Sequence, residues 1–382
     1  MRLRSLAAVA AFGLTIAALT IPAGAEDAPT DIRQGPIVLT SQDLPKGITD
    51  FAEPSIVVTR EQTVLICGPG GLTGGQNHIV RSEDWTSFQP VGYSDPGGGG
   101  DCELELGPDN AVYGANLQGF GSAIRKSVDD GATWEYQTTE DAVEQDRQWL
   151  AADPVDGSVV YLAYHDLVAE LEVVAKSLDG GKTFPIHTVV SSDPRFWADS
   201  YPNTYSGPIQ TDPTDHNRLY VVYAISTLEE NVQPEYAPWG PPDQIIVARS
   251  DDGGITWSNT MAMSTPPGGI LGNLFPWIAI DRAGNVYVAA AGRLPKEGGG
   301  YQNGMYLAVS TDRAGTFTDP IKVNQGDGAT VFPTVVAGND GLIDLTWIES
   351  DDTDQDAAAT WTVHFAQSRN ATSEAPTFEE VT

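Results

Sequence analysis

The chain has 382 residues, 40 of them glycine and 26 proline, and a formal net charge of −32. That charge excludes a nucleic-acid partner, because phosphate binding needs a basic face and this surface would repel it. Turn formers spread among Val, Tyr, Thr and Trp, with almost no helical periodicity, point to one large all-β repeat domain.

Residues 1–25 read as an export leader: Arg2 and Arg4, an apolar run from Leu6 to Ile21, then a small-residue Ala23-Gly24-Ala25 site. The run is too short for a spanning helix, which needs about 20 apolar residues, and no later stretch approaches that length. The sequence therefore predicts a secreted product, extracellular or periplasmic, cleaved near Ala25 and not inserted in a membrane. Loss of Arg2 and Arg4 takes its charge to −34. Residues 26–34 form an N-terminal extension and 35–382 the repeat domain.

Cys67 and Cys102 are the only cysteines. In an exported chain they are expected to pair, for about 3–4 kcal/mol on the chain-entropy account. The five histidines lie far apart and match no zinc spacing. No cofactor is required by any motif. The excess carboxylates admit Ca²⁺, a hard ion that takes oxygen ligands, but the sequence does not define a metal site.

One motif recurs along the chain: Ser127-Val128-Asp129-Asp130-Gly131-Ala132-Thr133-Trp134, Ser177-Leu178-Asp179-Gly180-Gly181-Lys182-Thr183-Phe184 and Ser250-Asp251-Asp252-Gly253-Gly254-Ile255-Thr256-Trp257. A looser copy has Ser310, Asp312, Thr316 and Phe317, with Ala314 in place of the glycine. Degraded copies start at Ser82 and Ser368. The Asp carboxylate and the Ser and Thr hydroxyls suit local backbone hydrogen bonds, the Gly suits a conformation that a Cβ opposes, and the aromatic suits packing between sheets. The motif is thus a hairpin staple.

Out of phase with the staples run six apolar strand–turn–strand segments: Pro54–Cys67, Cys102–Asn116, Trp149–Tyr164, Pro208–Ala224, Pro276–Ala291 and Pro333–Glu349. Six inner hairpins interleaved with staples at serine intervals of 45, 50, 73, 60 and 58 residues predict a six-bladed β-propeller with four-stranded antiparallel blades. The short strand Pro36–Thr40 is expected to pair with the last blade and close the ring.

These staples resemble the Asp-box, or bacterial neuraminidase, repeats of the sialidase superfamily, and the likeness covers about residues 35 to 382. The resemblance implies that the staples lie on the face away from an active site. It also implies a three-arginine clamp for a sugar carboxylate, a Tyr nucleophile activated by a Glu, and an Asp acid/base. The segment matching the first arginine is Phe51-Ala52-Glu53-Pro54-Ser55, so Ala52 stands where the cation belongs.

Arg81, Arg125, Arg249, Arg313 and Arg369 fall at or beside staples and so on the far face. Arg147, Arg195 and Arg293 remain as candidate substrate contacts. The active-site face carries many carboxylates in its loops: Asp95, Asp101, Glu103, Asp141, Glu144, Asp146, Asp166, Asp199, Glu229, Glu230, Asp351 and Asp352. Their field opposes a sialate anion and suits a cation or a neutral glycan. Asp101, Asp146 and Tyr205 are the candidates for acid, base and nucleophile. Tyr236 and Trp239, in the longest loop of that face, suit stacking on sugar rings. The sequence favours a secreted propeller that binds an extracellular glycan or polymer without sialidase chemistry. The alternative is an exo-acting glycoside hydrolase with a divergent active site.

Overall fold

A computed structural model describes residues 53–69, 77–92, 100–118, 121–140, 145–169, 171–191, 204–226, 242–266, 268–272, 274–353 and 359–382, with Pro45 and Ile48. The expected leader, the N-terminal extension and the closing strand Pro36–Thr40 lie outside the described residues.

The architecture is the expected one, six antiparallel sheets in chain order with no helix among the described residues. Blade 1 holds β1 (Ser55–Val58), β2 (Val64–Pro69), β3 (Asn77–Ser82) and β4 (Gln89–Pro90). Blade 2 holds β5 (Cys102–Leu106), β6 (Val112–Gln118), β7 (Gly121–Ser127) and β8 (Glu135–Glu140). Blade 3 holds β9 (Gln145–Ala152), β10 (Val160–Asp166), β11 (Leu171–Ser177) and β12 (Ile186–Val189). Blade 4 holds β13 (Thr204–Asp212), β14 (Asp215–Ile225), β15 (Gln244–Ser250) and β16 (Ser258–Ser264).

Blade 5 departs from the four-strand expectation. Its innermost strand is split into β17 (Ile270–Leu271) and β18 (Trp277–Ile280), both paired with β19 (Val286–Pro295), and β20 (Tyr301–Ser310) and β21 (Ile321–Lys322) complete it. Leu274 and Phe275 take positive φ values of 54° and 68° at the break. Blade 6 holds β22 (Thr330–Ala337), β23 (Ile343–Ser350), β24 (Trp361–Ser368) and β25 (Glu379–Val381).

Inner strands are flanked by blades on both sides, so second strands such as β10 and β19 are buried along nearly their whole length and read as continuous apolar runs. Apolar clusters fill the spaces between blades: Leu65, Ile79, Leu104 and Val112 with Trp134 between blades 1 and 2, and Tyr287, Leu307, Val335 and Trp347 between blades 5 and 6. Each such side chain contributes about 1.5–3 kcal/mol on burial. Cys67 and Cys102 form the expected disulfide, with Cα atoms 6.1 Å apart, and so tie β2 of blade 1 to β5 of blade 2.

Each staple closes the hairpin between the third and fourth strands of its blade. In the Ser127 copy the hydroxyl donates to Asp129 Oδ1 (2.8 Å) and accepts from Gly131 N (2.9 Å), while Thr133 donates its N–H to Oδ1 (2.9 Å) and its hydroxyl to Oδ2 (2.6 Å). The Ser177, Ser250 and Ser310 copies repeat this pattern. Gly131, Gly181 and Gly254 have φ of 77°, 85° and 83°, and Ala314 adopts 59° in the same place. The degraded copies keep the central bonds, through Asp84 to Thr86 N and through Asn370 to Thr377 N.

The staple also binds its neighbour. Arg81 Nε donates to Asp130 O (2.8 Å), Lys176 Nζ to Gly253 O (2.8 Å) and Arg249 to Arg313 O (2.8 Å). In each case the basic residue that precedes one staple serine reaches a left-handed residue in the staple of the following blade. These cations are engaged at the staple end of the propeller, the face expected for Arg81 and Arg249.

Candidate functional site

At the opposite end, the segments that lead into the innermost strands of blades 1 and 2 place Glu53 and Asp101, and the start of β9 in blade 3 places the Asp146-Arg147 pair. The main chain there is firmly held. Leu117 N donates to Asp101 O (3.0 Å), Gly100 N to Leu117 O (3.0 Å), Gln148 Nε2 to Asp101 O (2.6 Å), and Ser206 Oγ to Arg147 O (3.3 Å). The main chain of three successive blades, 2 to 4, is therefore tied together at this end. The Asp101 carboxyl comes within hydrogen-bonding reach of both Glu53 and Asp146.

Arg147 lies beneath these carboxyls. Its side chain is 4% exposed; Nε donates to Glu53 Oε2 (3.2 Å), one terminal nitrogen to Glu103 Oε2 (3.5 Å) and the other to Cys102 O (3.4 Å). The guanidinium carbon sits 3.8 Å from the Trp149 ring centre and 5.6 Å from that of Phe275. Trp149 in turn meets Phe275 and Trp277 of blade 5 edge-to-face, at 5.8 and 5.2 Å. A cation and three aromatic rings thus form the floor under the carboxyl cluster, joining blade 3 to blade 5.

One cation among five acids leaves the carboxyls short of compensation. Burial pushes Glu103 up to about 7 against the pull of Arg147, and burial together with the Glu103 charge pushes Glu105 up to about 8. Glu53 is raised by burial, then opposed by Arg147 and raised again by Asp101. Asp146 rises to about 7, first through the surrounding protein bulk and then through Asp101 and Glu53. Its side chain is nonetheless in contact with solvent, so the neighbouring negative charges are the firmer cause. A carboxyl that holds a proton near neutrality and faces solvent beside a second carboxyl is equipped for proton transfer to a bound ligand.

Asp101, Asp146 and Arg147 thus come together, but Arg147 is a buried counter-ion with every nitrogen engaged. Tyr205 is the second residue of β13, paired with Ala224. Arg293 stands apart, on β19 of blade 5, its Nε donating to Gly268 O (3.2 Å). Among the described residues no three arginines converge. Arg195, Tyr236 and Trp239 lie outside the described residues, as do Asp95, Asp141, Glu144, Asp199, Glu229 and Glu230. Asp166, Asp351 and Asp352 accept from nearby backbone N–H groups and hold their own turns. Sequence reasoning passed over Glu53, noting it only as the neighbour of Ala52. Its place directly before an inner strand, the same as that of Asp101, was the available signal.

Among the described residues, Glu349, His364 and Glu380 of blade 6 are a group with metal-ligand atoms within 4.8 Å of one another. Glu349 already accepts from Asn324 Nδ2 (2.9 Å), Trp347 Nε1 (3.1 Å) and Gly328 N (3.3 Å), and His364 Nδ1 lies 3.0 Å from Glu380. This network ties the segment between blades 5 and 6 to blade 6. No helix among the described residues is long and apolar enough to cross a membrane.

No family model matches the sequence, and no curated protein matches it. Solved structures do. An α-L-arabinofuranosidase from Fusarium graminearum, in complex with an iminosugar inhibitor, aligns with TM-score 0.52 and 12% identity over 85% of this chain and 95% of that one. An α-L-arabinanase from Penicillium chrysogenum, complexed with arabinobiose, gives 0.51 and 11% over 83% and 94%. The fucose-recognising six-bladed lectin of Aleuria aurantia gives 0.47 and 12% over 85% and 93%. At such identities the likeness is one of fold: the chain is a six-bladed β-propeller whose structural neighbours include carbohydrate-active proteins.

Proposed function

We propose that this protein is an exported, glycan-directed propeller, akin to the sialidase superfamily in its Asp-box staples, that cleaves a glycosidic bond with the carboxyl cluster of blades 1 to 3. The observation that carries this reading is the convergence of Glu53, Asp101 and Asp146 on one point beside solvent. Asp146, holding a proton near neutrality, is the acid that protonates the departing glycosidic oxygen. Glu53, which interacts with Asp146 only through its charge while Asp101 bonds both, accepts the proton of the water that attacks the sugar carbon, so one C–O bond breaks and one forms. The fold likeness to an arabinofuranosidase and an arabinanase supports a glycan substrate.

Sialidase chemistry is disfavoured by Ala52 and by the complete engagement of Arg147. With its one cation spent on Glu53 and Glu103, the mouth suits an uncharged sugar ring. Release of a fluorogenic leaving group from a panel of neutral glycosides and a sialoside tests this. We expect turnover of a neutral glycoside, and a fall of about 10²–10⁴-fold in kcat for Asp146→Asn. Inactivity on the whole panel, with glycan binding retained, establishes instead a binding propeller without catalysis.

A further inference from the structure

A second feature lies at the same end of the propeller, in blades 5 and 6. The hairpin of β19 and β20 extends past its neighbours and, with the segment leading into blade 6, encloses an open groove lined by Arg293, Lys296, Tyr301, Gln302, Asn303 and Asp327. Its walls are locked to one another. Asn303 Nδ2 donates to Thr353 O (2.7 Å) and Asp327 O (3.2 Å), and Gln302 Nε2 donates to Asp327 Oδ1 (2.8 Å).

The charges of the groove are unequal. Asp327 is held below the usual carboxylate range by Gln302, Lys322 and Lys296, and its ion pair is with Lys322, at 3.3 Å. Among the described residues, Arg293 and Lys296 have no carboxylate within ion-pair distance. Arg293 is oriented through Nε by the Gly268 carbonyl and lies 5.8 Å from the ring centre of Tyr301. Tyr301 is 40% exposed, its phenol lying so close to Gly268 that a Cβ there would meet Oη at 2.5 Å. An exposed aromatic ring thereby lies beside Arg293, which has no ion pair among the described residues, and Lys296, which acts on Asp327 only at a distance, on a protein of charge −32.

We infer that this groove binds an anionic sugar residue of a polysaccharide, with Tyr301 against the ring and Arg293 and Lys296 on its carboxylate or sulfate. The net charge of the chain does not prevent this. At physiological salt the screening length is about 8 Å, so the adjacent cations outweigh carboxylates elsewhere on the surface. Among the described residues the Arg293 guanidinium is held through Nε, and its terminal nitrogens suit a planar or tetrahedral anion. This rests on the proposed active site, whose acidic mouth suits a neutral sugar: together, mouth and groove imply a heteropolymer that places a neutral residue at Asp146 and an acidic one at Arg293.

Affinity electrophoresis of the full chain in gels containing polygalacturonate, dextran sulfate or a neutral polysaccharide tests the inference. The wild type is expected to be retarded by at least one anionic polymer, and the first two gels separate carboxylate from sulfate recognition. Arg293→Gln and Tyr301→Ala should each weaken that binding about tenfold, the effect of losing one charge-assisted or stacking contact. Arg293→Lys should keep part of it, and raised salt should abolish it. Asp146→Asn should bind as the wild type does, so loss of turnover and loss of groove binding are told apart. Absence of retardation by both anionic polymers, or wild-type affinity in Arg293→Gln, overturns the inference. Melting temperatures of the variants identify any loss that reflects unfolding.

Discussion

The guanidinium of Arg147 lies 3.8 Å over the ring of Trp149, with Glu53 3.2 Å and Glu103 3.5 Å from its nitrogens. This cation is shared by two acids and one aromatic ring and has almost no contact with water. Arg147→Met should therefore strand the buried carboxyl of Glu103 and the half-buried one of Glu53. The expected loss is about 3–5 kcal/mol at pH 8. At pH 5 the loss should be smaller, since Glu53 and Glu103 are both raised and can take up protons. Denaturant unfolding at the two pH values measures it.

The buried acids also set the pH dependence of the wild type. Glu103 at about 7 and Glu105 at about 8 lie above the unfolded value of about 4.3. Between these limits the folded chain binds more protons than the unfolded one, so stability falls as pH rises. Asp129, Asp179, Asp252 and Asp312 of the staples are lowered instead, and what they contribute is lost below about pH 4. Melting temperature should peak near pH 5 and decline toward pH 8. Glu105→Gln should flatten that decline; an unchanged slope would count against its origin in this residue.

On any glycoside that is turned over, kcat/KM should fall as pH climbs through about 7, where Asp146 loses its proton. The charge of Asp101 helps to keep that proton in place. In Asp101→Asn the descending limb should move to lower pH, provided activity remains measurable.

The staples offer a paired test of backbone strain. Gly131 has φ 77°, and a Cβ there would come within 2.4 Å of Leu65, so Gly131→Ala meets both strain and a clash. A loss of about 2 kcal/mol or more is expected, by chemical denaturation. Ala314→Gly relieves about 1 kcal/mol of left-handed strain but gives up a buried methyl of about 0.8 kcal/mol. It should be nearly neutral.

Blade number, strand order and the far-face placement of most arginines were legible because each rests on contacts within about ten residues, repeated six times. Asp101 and Asp146 were legible as candidates because they stand just ahead of the apolar runs of inner strands, although β9 starts at Gln145 and so takes in Asp146. Their meeting was not. Arg147 and Glu53 are 94 positions apart, and Trp149 meets Trp277 across two blades, so no local pattern records either contact. Arg147 was legible as a candidate substrate contact, but its ion pairs with Glu53 and Glu103 were not. The broken inner strand of blade 5 was equally hidden, because positive φ at Leu274 and Phe275 carries no residue preference that marks it.

The ties between staples all run one way: Arg81 reaches from blade 1 to blade 2, Lys176 from 3 to 4, Arg249 from 4 to 5. The ring consequently has a direction along which damage spreads. A lesion in one staple deprives the blade before it of its anchor and leaves the blade after it intact. The cooperative unit is therefore offset from the visible blade, beginning in one third strand and ending in the next turn. A graft or permutation cut at the gap between two sheets severs that unit, whereas one that keeps each basic residue with the following staple preserves it.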